Sequence, residues 1–381
     1  MRLYDRHSCF AKTLALGVCV LICAISHLAA AKSTAPVNNK GHKWRIGYYE
    51  GGSYINYPAN LIAIAQALGE MGWMKNSQKA LAANPTDAKM VWDALGSVQS
   101  DYLEFVQDAH WSAGWQQDIR KKNRAAALAL LQKGGLDFMI AMGTWAGQDL
   151  VNNLHSVPTM VVSCSDPVGS NIIKSPYDSG FDHVHARCDP DRYLRQLLIF
   201  FSIFRFKHLG VTYEDTAEGR SYAALKDVQR VAAENHFEIV TCKAPFSGVS
   251  TDESFNRLVE CHQKLAPRID AYFLTIHRGV DLDRMNELLA PLIAKKIPVW
   301  SQRGPQEVQH GALLSIARGN FKAIGKFHAQ IMAKVFNGAK PRSLNQIFED
   351  PKTIAINLAT AAKIDFTPPK GLMRVVDQVF P

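Results

Sequence analysis

The sequence predicts an α/β protein of two lobes, each built on a parallel β-sheet. Short apolar runs alternate with segments of helical periodicity from residue 44 to the C-terminus. Continuous apolar strands of this kind imply sheets covered on both faces by helices. A Gly/Ser/Pro-rich passage at 169–181 interrupts the rhythm, which then resumes, and so divides it in two. The length of 381 residues suits two domains, and 47% hydrophobic residues supply material for both cores.

The chain opens differently. Arg2, Arg6 and Lys12 give a positive start, Thr13 to Leu28 is a short apolar run, and Ala29-Ala30-Ala31 offers a cleavage site. These are the three parts of a secretory signal peptide. The run is shorter than the roughly 20 residues a membrane span needs. Cys19 and Cys23 follow Val18 and Ile22 rather than small residues, which argues against a lipoprotein site. A signal peptide over 1–31 cleaved near Ala31, a flexible leader over 32–43 and a periplasmic or otherwise extracytoplasmic location are therefore expected.

From there the elements follow in order. WRIGYYE (44–50) reads as a strand, and NLIAIAQALGEMG (60–72) as a helix stopped by Gly72. Residues 75–100 read as irregular and polar. DYLEFVQDA is a strand, RKKNRAAALALLQKGG a helix, LDFMIAMG a buried strand, AGQDLVNNLH a short helix and VPTMVVSCSD a strand. In the second run, CDPDRYLRQLLIFF is a helix with Asp189 as N-cap and Pro190 at its first position. HLGVTYED (strand), GRSYAALKDVQRVAAENH (helix) and FEIVTC (strand) come next. TDESFNRLVECHQKLA is a helix opened by Thr251-x-x-Ser254. IDAYFLTIH, IPVWSQ and GALLSIA are strands. DLDRMNELLAPLIAKK and FKAIGKFHAQIMAKVFNG are helices, TIAINLATAAKI runs from strand into helix, and the apolar VVDQVF closes the chain.

In open parallel sheets, ligands sit beyond the carboxyl ends of the strands. That directs attention to Glu50–Tyr57, Thr144–Gly147, Ser163–Val168, Tyr213–Ser221, His277–Val280 and Ser301–Gly304. The turn Gly143-Thr144-Trp145-Ala146-Gly147 has the spacing of a nucleophile elbow, but Trp145 occupies the nucleophile position. The sequence holds no G-x-S-x-G, P-loop, dinucleotide fingerprint or H-E-x-x-H. Glu50, Asp166, Glu214 and Asp215 fall at strand ends, where paired carboxylates do acid–base work, meet a ligand ammonium or cap helices. Trp145 in its turn offers a flat wall to an apolar ligand. His183, His185 and Cys188 stand at spacing that zinc accepts, against the alternative of a polar edge strand.

The formal net charge is +9, and signal-peptide removal takes away three cations and one anion to leave +7. No Lys/Arg run is interleaved with aromatics, which argues against nucleic acid. Of seven cysteines, Cys164, Cys188, Cys242 and Cys261 remain after cleavage, and their pairing is open.

LDFMIAMGTWAGQDL, VPTMVVSCSDPVGSNIIKSP, HLGVTYEDTAEGRSYAALKDVQRVAAENHFEIV and IAINLATAAKI together resemble the tryptophan/tyrosine-type ABC transporter substrate-binding family, across about residues 44–381. The resemblance implies the type I periplasmic-binding-protein fold: two Rossmann-like lobes joined by a three-crossover hinge and closing on a ligand. Lobe I would comprise 44–166 plus 312–340, and lobe II 180–303 plus 345–381. By family position, Glu50, Gly51, Ser53 and Tyr54, then Thr144, Trp145 and Ala146, then Ser165 and Asp166 would line the cleft from lobe I. Glu214, Glu218, Ser221, His277 and Gln302 would line it from lobe II. The sequence departs from the family pattern at Arg220, where Asn is usual, and at Thr275-Ile276-His277-Arg278. These changes suggest a more acidic ligand unless the added cations face solvent.

The function so implied is capture of a small ligand, an amino acid or a small aromatic or amide metabolite, and its delivery to an ABC permease. No cofactor and no catalysis are expected, and a monomer is expected. The alternative is an extracytoplasmic sensor that presents its bound state to a membrane receptor or kinase.

Overall fold

A computed structural model describes residues 33–75, 87–318, 320–349 and 351–381. The expected signal peptide lies outside the described residues. Two sheets form among them, and their C-terminal strand ends face each other across a cleft.

The first sheet has the order β2-β1-β3-β4-β5, with every neighbouring pair parallel. Its strands are β1 (Trp44–Glu50), β2 (Leu103–Ser112), β3 (Phe138–Met142), β4 (Thr159–Val162) and β5 (Val184–Ala186). Strand β3 is buried at all five positions, which is why its sequence is apolar throughout rather than alternating. Helices α1 (Asn56–Glu70), α2 (Ala88–Gly96), α3 (Gln117–Gln132) and α4 (Thr144–Leu150) cover this sheet. Helix α1 ends as the sequence predicts, with Gly72 at φ +81° just beyond it. The 75–100 stretch is not irregular throughout. Asp87 caps α2 by accepting from the Met90 N–H at 2.9 Å, and Val91, Trp92 and Leu95 bury the helix against the sheet. Residues 76–86 lie outside the described residues.

The second sheet has the order β12-β11-β10-β9-β8-β6-β7. Its strands are β6 (His208–Tyr213), β7 (Glu238–Lys243), β8 (Ala271–Leu274), β9 (Val299–Ser301), β10 (Leu314–Arg318), β11 (Lys352–Asn357) and β12 (Gln378–Phe380). Only the β10–β11 pair is antiparallel among the described residues. The packed helices include α5 (Arg192–Phe204), α6 (Ala217–Tyr222), α7 (Leu225–Asn235), α8 (Thr251–Leu265), α9 (Met285–Ile293) and α10 (Pro305–Gln309). Two caps fall elsewhere than the sequence suggests. Ser250, not Thr251, caps α8 and accepts from the Glu253 N–H at 3.1 Å. Asp191, not Asp189, stands at the α5 N-cap.

Helix α11 (Lys322–Phe336) belongs to the first lobe although it follows β10 of the second sheet. It crosses α1 closely: a Cβ added at Gly325 would stand 2.5 Å from the Ala63 backbone. Phe336 then stacks on Trp44 at 4.8 Å. Two short helices, α12 (Leu358–Lys363) and α13 (Lys370–Met373), end the chain before β12. The chain thus passes between lobes three times, after β5, after β10 and after α11, as the type I fold requires.

The expected lobe limits shift at two strands. Strand β5 lies within the stretch assigned to lobe II, yet it pairs with β4 and extends the first sheet to Ala186. Strand β10 lies within the stretch assigned to lobe I, yet it pairs with β9 and β11. Each is apolar enough to bury, and neighbouring strands, not sequence position, decide which sheet takes it.

Candidate functional site

The turn after β3 shapes one wall of the cleft. Gly143 has φ +88°, and a Cβ there would collide with the Tyr57 hydroxyl at 1.9 Å. Only glycine lets the chain turn against Tyr57 at this point. Thr144 follows, buried, with Oγ1 3.4 Å from the Cys164 thiol. Tyr222 of the opposite lobe lies beside Thr144, and burial pushes its phenol far above the usual range.

Trp145 lines neither of the two cavities between the lobes. Its ring packs edge-on to Trp115 at 5.4 Å, with the Arg120 guanidinium 4.4 Å above it. Phe246 of the second lobe meets Trp115 at 5.1 Å and Tyr222 at 5.0 Å, so the four rings make one cluster spanning both lobes. Polar contacts cross here too. Ser170 and Ser221 hydroxyls lie 2.8 Å apart, Gly248 N–H donates to the Trp115 carbonyl at 3.2 Å, and Arg120 stands 4.0 Å from Glu218. Arg120 is itself fixed by Asp149 at 2.9 Å.

Nearer the hinge, a cavity of about 110 Å³ opens between the lobes. Tyr54, Asn56, Ser163, Cys164 and Ser165 line it from the first lobe, and Ile276, Arg303, Gly304, Pro305 and Gln306 from the second. Arg187, Arg192 and Phe321 close it where the chain crosses over. Arg303 is buried, with Nη2 2.8 Å from Glu307 Oε1. Burial pushes the Glu307 carboxyl up against the pull of Arg303 and of the Ser301 hydroxyl, which donates at 2.6 Å. The Tyr54 hydroxyl faces Arg303 without a hydrogen bond of ordinary geometry. Burial pushes the Cys164 thiol up to about 12, so it is a neutral, unreactive group.

A second, larger cavity of about 790 Å³ shares Ser165 and runs between Asp166–Gly169 and helices α6 and α7. Arg220 lies on its rim, exposed and paired with Asp215. Burial, helped by Asp166, pushes Asp227 there up to about 6.

The residues singled out in the sequence divide into two groups. Tyr54 and Ser165 line the first cavity, and Ser165, Asp166 and Ser221 the second. Trp145, Thr144, Glu218 and Ser221 sit where lobe meets lobe. Gly51 is needed for that contact, since a Cβ there would stand 2.8 Å from Trp145 Cβ. Ser53 is exposed and supports Trp115 through its carbonyl, which accepts from the indole N–H at 3.0 Å.

The others are turned inward. Glu50 accepts from Tyr48 at 2.7 Å and Ser112 at 2.8 Å, and burial raises its pKa. Ala146 packs in the first lobe's core. Glu214 accepts from the Phe246 and Ser247 N–H groups at 2.9 and 2.8 Å, holding the loop after β7 rather than a ligand. His277 takes the Gly279 N–H on Nδ1 at 3.1 Å, and burial holds it near pKa 4. Gln302 accepts from the Ile276 N–H at 2.8 Å and donates to the Tyr222 carbonyl at 2.9 Å, positioning two cleft residues without facing the cavity.

The cations that reach the first cavity are not the pair the sequence singles out. Arg278 donates to the Val249 carbonyl at 2.7 Å. Arg187, Arg192 and Arg303 are there instead. The loop Ser301–Gly304 pointed to Arg303, whereas nothing local distinguishes Arg187 or Arg192. His183, His185 and Cys188 do not converge: His185 Nε2 lies 3.0 Å from the Asn345 carbonyl, His183 packs on His155, and no metal-ligating group of three occurs among the described residues.

A family model for ABC transporter substrate binding proteins matches residues 110–380. The chain belongs to this family. Its members bind small ligands outside the cytoplasm and work with an ABC permease. Among solved structures, an ABC domain from Streptococcus pneumoniae in complex with L-Trp is 17% identical, with 89% of this chain and 100% of that chain covered and a TM-score of 0.67. A conserved domain protein from Vibrio cholerae is 18% identical, with 88% and 99% covered and a TM-score of 0.62. A substrate-binding protein with adhesive properties from Clostridium difficile, ligand-free and open, is 18% identical, with 88% and 99% covered and a TM-score of 0.57. These likenesses show the fold. No curated protein matches the chain. No helix among the described residues is long and apolar enough to cross a membrane.

Proposed function

We propose that this substrate-binding protein is exported, captures a small metabolite of amino-acid size between its lobes and delivers it to an ABC importer. The observation that carries the reading is the inter-lobe cavity at the carboxyl ends of both sheets. Tyr54, Ser163 and Ser165 line it opposite Arg303 and Ile276 of the other lobe. A pneumococcal protein of the same fold is found in complex with L-Trp, which supports capture of a small molecule, though not its size here. Closure would be completed by the four-ring cluster and the Ser170–Ser221 and Trp115–Gly248 hydrogen bonds, which join the lobes without any ligand atom. The permease would read the surface that closure creates.

The test is a melting screen of the chain from residue 33 against a metabolite library. A ligand at 100 times its dissociation constant adds about 2.7 kcal/mol to stability. A hit that also reduces the radius of gyration in solution scattering supports capture by closure, and a library that shifts nothing overturns the reading.

A further inference from the structure

We propose that the inter-lobe cavity takes a small organic acid, a carboxylate without an aromatic ring, anchored by Arg303. This narrows the ligand class and rests on the cleft being a ligand site at all.

Three observations lead there. Arg187, Arg192 and Arg303 all line the cavity, and among the described residues no Asp or Glu does. A guanidinium fork matches a carboxylate's two oxygens, and this recognition is far stronger when desolvated. Secondly, the cavity has buried donors in want of an acceptor. The Arg303 side chain is only 8% exposed, yet its Nε has no hydrogen-bond partner among the described residues, and neither has the Tyr54 hydroxyl. Buried donors without partners are costly, and a ligand oxygen would satisfy both. Thirdly, there is no room for a ring. The cavity of about 110 Å³ is smaller than the roughly 150 Å³ cavity known to accept benzene. Beside Tyr54 and Ile276 the space is filled by the chain's own Trp115, Trp145, Tyr222 and Phe246, and the larger cavity meets this one only at Ser165. Asn56, Ser163 and Ser165 remain to take the polar remainder of a compact acid.

The experiment is calorimetric titration of the chain from residue 33 with succinate, L-malate and L-aspartate. Succinamide, L-asparagine, L-tryptophan and inorganic phosphate serve as controls. At least one acid should bind 100-fold more tightly than its amide counterpart and weaken with added salt. Arg303→Gln should weaken it at least 100-fold. That change strands the buried Glu307, so the paired variant Arg303→Gln/Glu307→Gln is measured alongside, and Arg192→Gln should weaken binding about tenfold. Binding of L-tryptophan, the amides or phosphate in preference to the acids overturns the proposal but leaves solute capture standing. Acid binding undiminished in a paired variant that melts normally overturns Arg303 as anchor. Failure of the whole metabolite library removes the site and this proposal with it.

Discussion

Cys242 at the end of β7 and Cys261 in α8 form a disulfide, while Cys164 and Cys188 are free and buried. The bridge ties the edge strand of the second sheet to the helix that follows it. Phe246 and Gly248, which reach the first lobe, lie inside the loop it closes. A double Cys242→Ser/Cys261→Ser variant opens that loop. With a separation of 19 residues, the chain-entropy relation gives about 3 kcal/mol of stabilisation from constraint of the unfolded chain. At roughly 2–4 °C per kcal/mol for a unit of this size, the melting temperature should fall by about 6–12 °C. Differential scanning calorimetry of the chain from residue 33 measures this. Thiol titration in denaturant should find two reactive cysteines without reductant and four with it. Four thiols without reductant, or a variant melting within 2 °C of its parent, would refute the reasoning.

Phe246→Ala should leave the second lobe folded but weaken the best ligand by at least tenfold, because its edge-on contact with Trp115 bridges the lobes. A double-mutant cycle with Trp115→Ala should give a coupling of about 1 kcal/mol, and full additivity would count against the bridge. Gly143→Ala should cost more than about 2 kcal/mol, as it combines a left-handed backbone with collision against Tyr57; urea unfolding reads this directly. Burial holds His185, His262 and His277 near pKa 4 in the folded chain, below the unfolded value near 6.5. Their contribution is complete above pH 6.5 and is lost as pH falls toward 4, at up to about 1.4 kcal/mol per ring for each pH step of one. The melting temperature should therefore drop between pH 7 and pH 5, and a flat profile would contradict their burial as neutral rings. Arg278→Ala should leave ligand affinity unchanged in titration, since its guanidinium is engaged by Val249 and Thr251.

Much of the architecture is legible in the sequence because apolar periodicity reports burial. Strand β3 and helix α1 can be read from their patterns alone. Strand β5 is read in the sequence as the edge-strand alternative to a zinc site, and it is an edge strand, paired with β4, but buried rather than polar-faced. Helix α2 escapes because it is only nine residues long and follows directly on a polar stretch of sequence. The site is legible as a set of loops but not as a set of side chains. Position after a strand does not say which way a residue points. His277 and Gln302 turn their polar atoms to backbone, whereas Arg187 and Arg192 arrive from the crossover, with no motif to mark them. Trp145 stands between the lobes, but the neighbours that bury it come from 115, 222 and 246, which no local spacing brings together.

Helix α11 gives the chain a particular order of completion. Its docking on α1 joins residues about 260 positions apart, and most of the second sheet lies between them in sequence. A chain emerging N-terminus first therefore leaves the first lobe with an uncovered apolar face until about the last sixth of the polypeptide arrives. Neither lobe can be a finished object that waits for the other. A truncation before Lys322 would remove both the helix that covers α1 and the last two strands of the second sheet.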